Sequence, residues 1–251
     1  MFVVDAAAYM GIHEASMDPD GDVMVTTLAT PPTGSGTPLQ PPVVVVDAQA
    51  TLHVRLFHSA AAGFLLVGLS AQSVAALDSS STRNVAGAAL SGTVAVGTAL
   101  LRGQPRKVVA APRADGTLTM MPLDESGDVG WQVAQTAALG GVVALRLDAT
   151  DTTDTFIVGD AAGLLHAWRD GAELTLFDWP KPMDHAVTQA PAAVRWDADG
   201  RLGLVVVTEG PNDGASLRHL SFGGNTDRED TLVWPEAHQD STNGGCVLDG
   251  P

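Results

Sequence analysis

The chain has 251 residues, 45% of them apolar, and a formal net charge of −16 at pH 7. That apolar content is enough for a core and excludes wholesale disorder, and the length suits one all-β domain. The charge arises from 29 Asp and Glu against 13 Lys and Arg, and such a surface repels phosphate backbones, so nucleic acid is not an expected partner.

Strand signals dominate in chain order. VVVV (43–46), LHVRLF (52–57), FLLVGL (64–69), TVAVGTALL (93–101), VVALRL (142–147), FIV (156–158), ELTLF (173–177) and LVVV (204–207) are short and rich in Val and Leu. Gly, Asp, Ser or Pro bounds most of them. No segment keeps a 3.6-residue apolar period over three turns. Gly87, Gly92 and Gly97 turn the Ala-rich stretch 85–101 from a helix candidate into strands and turns.

A hairpin unit recurs along this pattern. In KVVAAPRADGTLTMMP (107–122) and TFIVGDAAGLLHAWR (155–169), an apolar run enters a small-residue turn and leaves as an alternating strand. Weaker copies occupy 65–78 and 201–222, and a first copy surrounds DPDGDVMVTT (18–27). The turn centres fall near Gly21, Ser73, Gly116, Gly163 and Gly214, with gaps of 52, 43, 47 and 51 residues. A repeat of about 40–50 residues made of strands is the period of a β-propeller blade.

The expected fold is therefore all-β, a propeller of about five to six four-stranded blades. The repeats place the blades at about 1–47, 48–89, 90–137, 138–180 and 181–237. VVVV (43–46) is read as the outer strand of blade one, and LHVRLF as the opening of blade two. Residues 29–42 form a Pro/Gly/Thr loop, and 223–230 an acidic, polar one. The tail 238–251 is Gly-rich, and its CVLD is a candidate closing strand beside the N-terminal FVVD.

Chemical motifs are sparse. Asp18, Asp20 and Asp22 resemble a calcium loop, but Gly21 and Ala29 do not match the spacing of an EF-hand, and a β-turn is the simpler reading. Seven histidines (His13, His53, His58, His166, His185, His219, His238) show no zinc spacing, and His166 is expected to cap or pack within its blade. GLSAQ (68–72) lacks the last glycine of a nucleophile elbow, and neither Lys107 nor Lys181 follows a glycine as a phosphate loop requires. Trp131, Trp168, Trp179, Trp196 and Trp234 are expected between blades, with Met120 and Met121 as core filler. Arg102, Arg106, Lys107 and Arg113 flank one strand and read as a solvated, charged strand edge. Catalytic, metal and cofactor residues are expected to be none.

Cys246 is the single cysteine, so no intramolecular disulfide forms. The N-terminus lacks a basic segment followed by a long apolar core, no run of about 18 apolar residues occurs, and there is no Asn-x-Ser/Thr sequon. These absences favour an intracellular location, cytoplasmic or nuclear, without membrane insertion.

The later blades carry a family resemblance. Residues 142–179, VVALRLDATDTTDTFIVGDAAGLLHAWRDGAELTLFDW, resemble WD-repeat and PQQ-like blades in their strand–Gly-Asp–turn–Gly–strand hairpin and in Trp168. ADGTLTMMPLDESGDVGW (114–131) is similar to a PQQ-like repeat, with Gly127 or Gly130 and Trp131 at its end. VRWDADGRLGLVVV (194–207) resembles an FG-GAP repeat at Asp197, Asp199 and Gly200. The departures are specific. Asp184-His185 and Trp168-Arg169 stand where a WD-repeat has Gly-His and Trp-Asp. Leu202, Gly203 and Leu204 stand where an FG-GAP calcium loop needs a carboxylate. One cysteine excludes the PQQ dehydrogenases that use a vicinal pair. The resemblance implies propeller architecture and carries over no catalytic residue.

From the repeats, the charge and the missing motifs, the sequence reading is a non-enzymatic protein–protein interaction scaffold, a structural subunit of a larger assembly. Its partners would be other protein subunits with basic surfaces. Asp227, Glu229 and Asp230 in the acidic loop are the candidate contact residues, and Gly21, Gly116, Gly163, Gly200 and Gly214 the structural turns. The alternatives are an enzyme or small-ligand or metal binder using the propeller channel, and an extracellular FG-GAP-like repeat protein.

Overall fold

A computed structural model of the chain describes residues 2–4, 10–17, 23–29, 43–46, 52–60, 63–71, 79–123, 131–135, 137–147, 150–174, 179–195, 202–210, 214–221, 232–234 and 246–248. The described residues form strands and turns without a helix. They belong to two compact units, one of Met1–Ala89 with Gly245–Pro251 and the other of Leu90–Gly244.

The first unit holds two sheets. Strands β1 (Phe2–Val4), β2 (Met10–Met17) and β3 (Val23–Ala29) form an antiparallel meander. Strands β4 (Val43–Val46), β5 (Leu52–Ser59), β6 (Phe64–Ala71) and β7 (Ser79–Val85) form another. VVVV therefore does not serve as an outer strand of the first sheet. It pairs antiparallel with LHVRLF, Val43 opposite Arg55, because a short connection makes these neighbours a hairpin.

The second unit holds three. Strands β8 (Ala95–Leu101), β9 (Gln104–Pro112), β10 (Thr117–Pro122) and β11 (Gln132–Ala134) form an antiparallel sheet in chain order. Arg102 and Gly103, with φ of 53° and 76°, make the two-residue turn between β8 and β9. Positive φ at both positions matches the twist of the strands they join. Strands β12 (Leu139–Leu145), β13 (Thr155–Asp160), β14 (Leu164–Arg169) and β15 (Ala172–Glu173) follow, and β16 (Lys181–Pro182) pairs with β14. Asp170 and Gly171 repeat the two-residue turn at φ 53° and 85°. Strands β17 (Ala192–Arg195), β18 (Leu202–Glu209) and β19 (Ala215–Ser221) make the last sheet.

Two short strands come last among the described residues. β20 (Leu232–Trp234) joins β12 rather than the β17–β19 sheet, and β21 (Cys246–Leu248) pairs in parallel with β4. Cys246–Leu248 thus adds to Val43–Val46 and not to FVVD, whose described residues pair with β2. Strand numbers per sheet run from three to six, and only β8–β11 is four-stranded among the described residues.

The middle sheet is buried on both faces, which explains why Val142–Leu145 of β12 is continuously apolar rather than alternating. Val143 and Leu145 of β12 and Ile157 of β13 pack with Leu202, Leu204 and Val206 of β18. Ala144 and Phe156, one residue out of phase, approach Gly97 of β8 on the other face. Trp131 meets Phe156 edge-on at 6.2 Å between ring centroids, and Met120 and Met121 are buried. Small residues let the segment before β8 approach β12: a Cβ on Gly92 would lie 2.5 Å from the Gly140 carbonyl carbon.

Candidate functional site

The β13–β14 hairpin builds a buried polar relay from its turn. Asp160 Oδ1 accepts the amides of Ala162 at 3.0 Å and Leu164 at 2.8 Å, which fixes the turn around Gly163. Gly163 has φ 83°, and its amide donates to the Asp160 carbonyl at 3.2 Å. Asp160 Oδ2 lies 3.1 Å from His166 Nε2, while Glu173 Oε1 of β15 lies 2.7 Å from His166 Nδ1. Trp168 stacks on the imidazole with centroids 5.0 Å apart. The His166 side chain is 1% exposed and that of Asp160 3%.

The preceding hairpin fills the same positions with other chemistry. Arg113 precedes Asp160 by 47 residues, as Thr119 does His166 and Gly116 does Gly163. Arg113 Nε donates to Thr119 Oγ1 at 3.0 Å, and Gln132 Nε2 of β11 donates to the same hydroxyl oxygen at 3.1 Å. Gly116 has φ 83° and donates to the Arg113 carbonyl at 3.1 Å. Burial lowers the Arg113 guanidinium pKa from its usual value, and neighbouring Asp115 opposes the shift. Each relay ties a turn residue to the middle and outer strands of its own sheet.

A second constellation joins adjacent sheets. Strand β8 has an open edge, and two carboxylates from the next sheet cap it. Asp154 Oδ2 accepts the Thr98 amide at 2.6 Å, and the Asp154 amide donates back to the Thr98 carbonyl at 2.8 Å. Two residues on, Asp170 Oδ1 accepts the Leu100 amide at 2.8 Å, and Thr153 Oγ1 donates to Asp170 Oδ2 at 2.8 Å. Arg146 approaches Asp154 Oδ1 at 3.2 Å. Burial raises the Asp154 carboxyl above the usual aspartate range, against the opposing pull of the Thr98 amide, Arg146 and Lys107. Arg169 pairs with Asp151 nearby in sequence.

These groups hold strands together. Both ring nitrogens of His166 already face carboxylates, and among the described residues no group of three or more His, Cys, Asp or Glu is placed to hold a metal ion.

Gly116 and Gly163 occupy hairpin turns, and the exposed Gly214 closes the loop before β19, its carbonyl accepting the Gly210 amide at 2.6 Å. Gly21, Gly200, Asp227, Glu229 and Asp230 lie outside the described residues, as do Asp18, Asp20 and Asp22. The basic group separates: Arg102 and Arg106 are exposed, but Arg113 is 3% exposed and points to Thr119. It does not belong to a charged strand edge, because its relay needs a long donor in the turn. Asp154, Glu173 and Gln132 carry no motif in the sequence, whereas Asp170-Gly171 is a hairpin dipeptide that marks its turn.

No family model matches the chain, and no curated protein does. Among solved structures, the chain is similar to BBS1N in complex with ARL6DN. In a lead-soaked crystal of that complex the TM-score is 0.58 at 14% identity, covering 89% of this chain and 58% of that one. In a mercury-soaked crystal it is 0.52 at 15% identity, covering 90% and 66%. The chain thus spans less than two thirds of either. An α-L-arabinofuranosidase, PaAbf62A from Podospora anserina in complex with cellotriose, is matched at TM-score 0.40 and 13% identity, covering 84% of this chain and 72% of that one.

The fold is thereby β-rich and propeller-like, with the family unresolved. The expectation of a non-enzymatic scaffold serving as a structural subunit is corrected. The solved structures matched include glycosidases beside BBS1N, and the likeness to BBS1N at 14% and 15% identity shows the fold alone, which assigns no class of function.

Proposed function

We propose that this chain recognises a protein partner, and that the partner presents a basic surface. The observation that carries the reading is the likeness to BBS1N, which was crystallised in complex with ARL6DN, over 89% of the chain. A net charge of −16 supports the basic character of the partner, since opposite potentials favour encounter. A middle sheet packed on both faces, with relays fixing the Gly116 and Gly163 hairpin turns, gives rigidity that holds a contact surface in shape without an ordering cost on binding.

The test is direct binding. The full chain is used to capture proteins from native extract beside an acidic control protein of equal charge, and each specific candidate is then purified and titrated calorimetrically. The reading expects one purified protein to bind saturably. If every candidate binds the control equally well, the reading fails.

A further inference from the structure

The molecule treats two open sheet edges in opposite ways. Along β8 the outward amides of Thr98 and Leu100 are occupied by the Asp154 and Asp170 carboxylates, which blocks addition of another strand. Along β19, among the described residues, no strand pairs on the side away from β18. Ala215, Ser216 and Leu217 are exposed there. Leu217 is 67% exposed, and its cross-strand partner Val207 is 38% exposed. An apolar pair on the solvent face of an unpaired strand offers side-chain contact next to a row of backbone donors and acceptors.

We propose that the β19 edge is a strand-addition site for an extended segment of a partner protein, carrying an apolar residue against Leu217 and Lys or Arg beside it. The proposal deepens the protein-recognition reading above and rests on it. An open edge dictates the extended form, because only a strand matches its backbone groups. Charge sets the flanking residues. Glu209 faces Ala215 at one end of β19 and the chain as a whole is at −16, whereas Asp184 is already paired with Arg218 of β19.

The probe is a blocked, fluorescein-labelled peptide alternating Lys and Val, titrated with the full chain by anisotropy. Its twin is methylated on every backbone amide, which keeps charge and side chains but removes the donors. The parent peptide is expected to saturate and the methylated twin to bind at least about tenfold more weakly. Leu217→Lys should weaken the parent by about tenfold while melting as the wild type does, because the side chain is exposed. Equal binding of the two peptides, or no loss in Leu217→Lys, would overturn the proposal in favour of adhesion to an acidic surface. If a captured native partner binds Leu217→Lys as tightly as wild type, strand addition at β19 is wrong while protein recognition stands. If no protein binds the chain specifically, both fall.

Discussion

Asp154 and Thr98 hold each other by two reciprocal hydrogen bonds, carboxylate to amide at 2.6 Å and amide to carbonyl at 2.8 Å. The contact imitates a strand pair with a side chain, so the edge of β8 is sealed while the neighbouring sheet is set in register. Its cost is a carboxylate whose side chain is 0% exposed, only partly offset by an Arg146 that is 25% exposed.

A pH dependence follows from that burial. The folded-state pKa of Asp154 is raised, so the folded chain binds this proton more readily than the unfolded one. Stability associated with Asp154 should therefore rise as pH falls from the raised folded value towards the ordinary aspartate value. Asp154→Asn removes this titration. Melting temperatures of the two proteins, measured across that range, should show the wild type gaining on the variant as pH falls. A constant difference would remove desolvation as the governing effect.

The hairpin relay gives a coupling prediction. Asp160→Ala deprives two turn amides and His166 of their acceptor, and should cost about 3 kcal/mol in chemical denaturation. Combined with His166→Leu, the double mutant should show an interaction energy of about 1–3 kcal/mol. Additive losses would mean that the Asp160–His166 contact contributes little.

The turn glycine is tested by adding a side chain. Gly163 has φ 83°, and a Cβ there would lie 3.1 Å from the Met183 and His185 carbonyl oxygens. Gly163→Val should destabilise by about 1–2 kcal/mol. An unchanged denaturation midpoint would contradict the assigned backbone.

Close approach of the segment before β8 to β12 is tested at Gly92. A Cβ there would stand 2.5 Å from backbone atoms of Gly140 and Gly141. Gly92→Ala should cost about 2 kcal/mol, because backbone on both sides must move. A neutral substitution would mean that this packing is looser than described.

Much of this architecture was legible in the sequence because it depends on local chemistry. The 47-residue offset from Gly116 to Gly163 marks two hairpins of the same shape, and apolar runs around them mark the strands. Long-range pairing was not legible. Nothing in LVW (232–234) says that it adds to β12, or in CVL (246–248) that it runs parallel to β4, since three-residue strands have no pattern to fix a partner. The relays were hidden for another reason. Arg113–Thr119 and Asp160–His166 occupy matching positions with unlike side chains, so comparison by residue identity misses what comparison by hydrogen-bonding role would find. The small residues that let strands converge, Gly92 and Gly140, do repeat at 48 residues. That spacing was available as a signal.

Recognition of a basic protein partner can be read from the association rate of the chain with its purified partner, measured by stopped-flow at rising ionic strength. Electrostatic steering predicts a rate that falls steeply as the screening length shortens from about 30 Å at 0.01 M to about 8 Å at 0.15 M salt. A rate that stays constant over that range would contradict it.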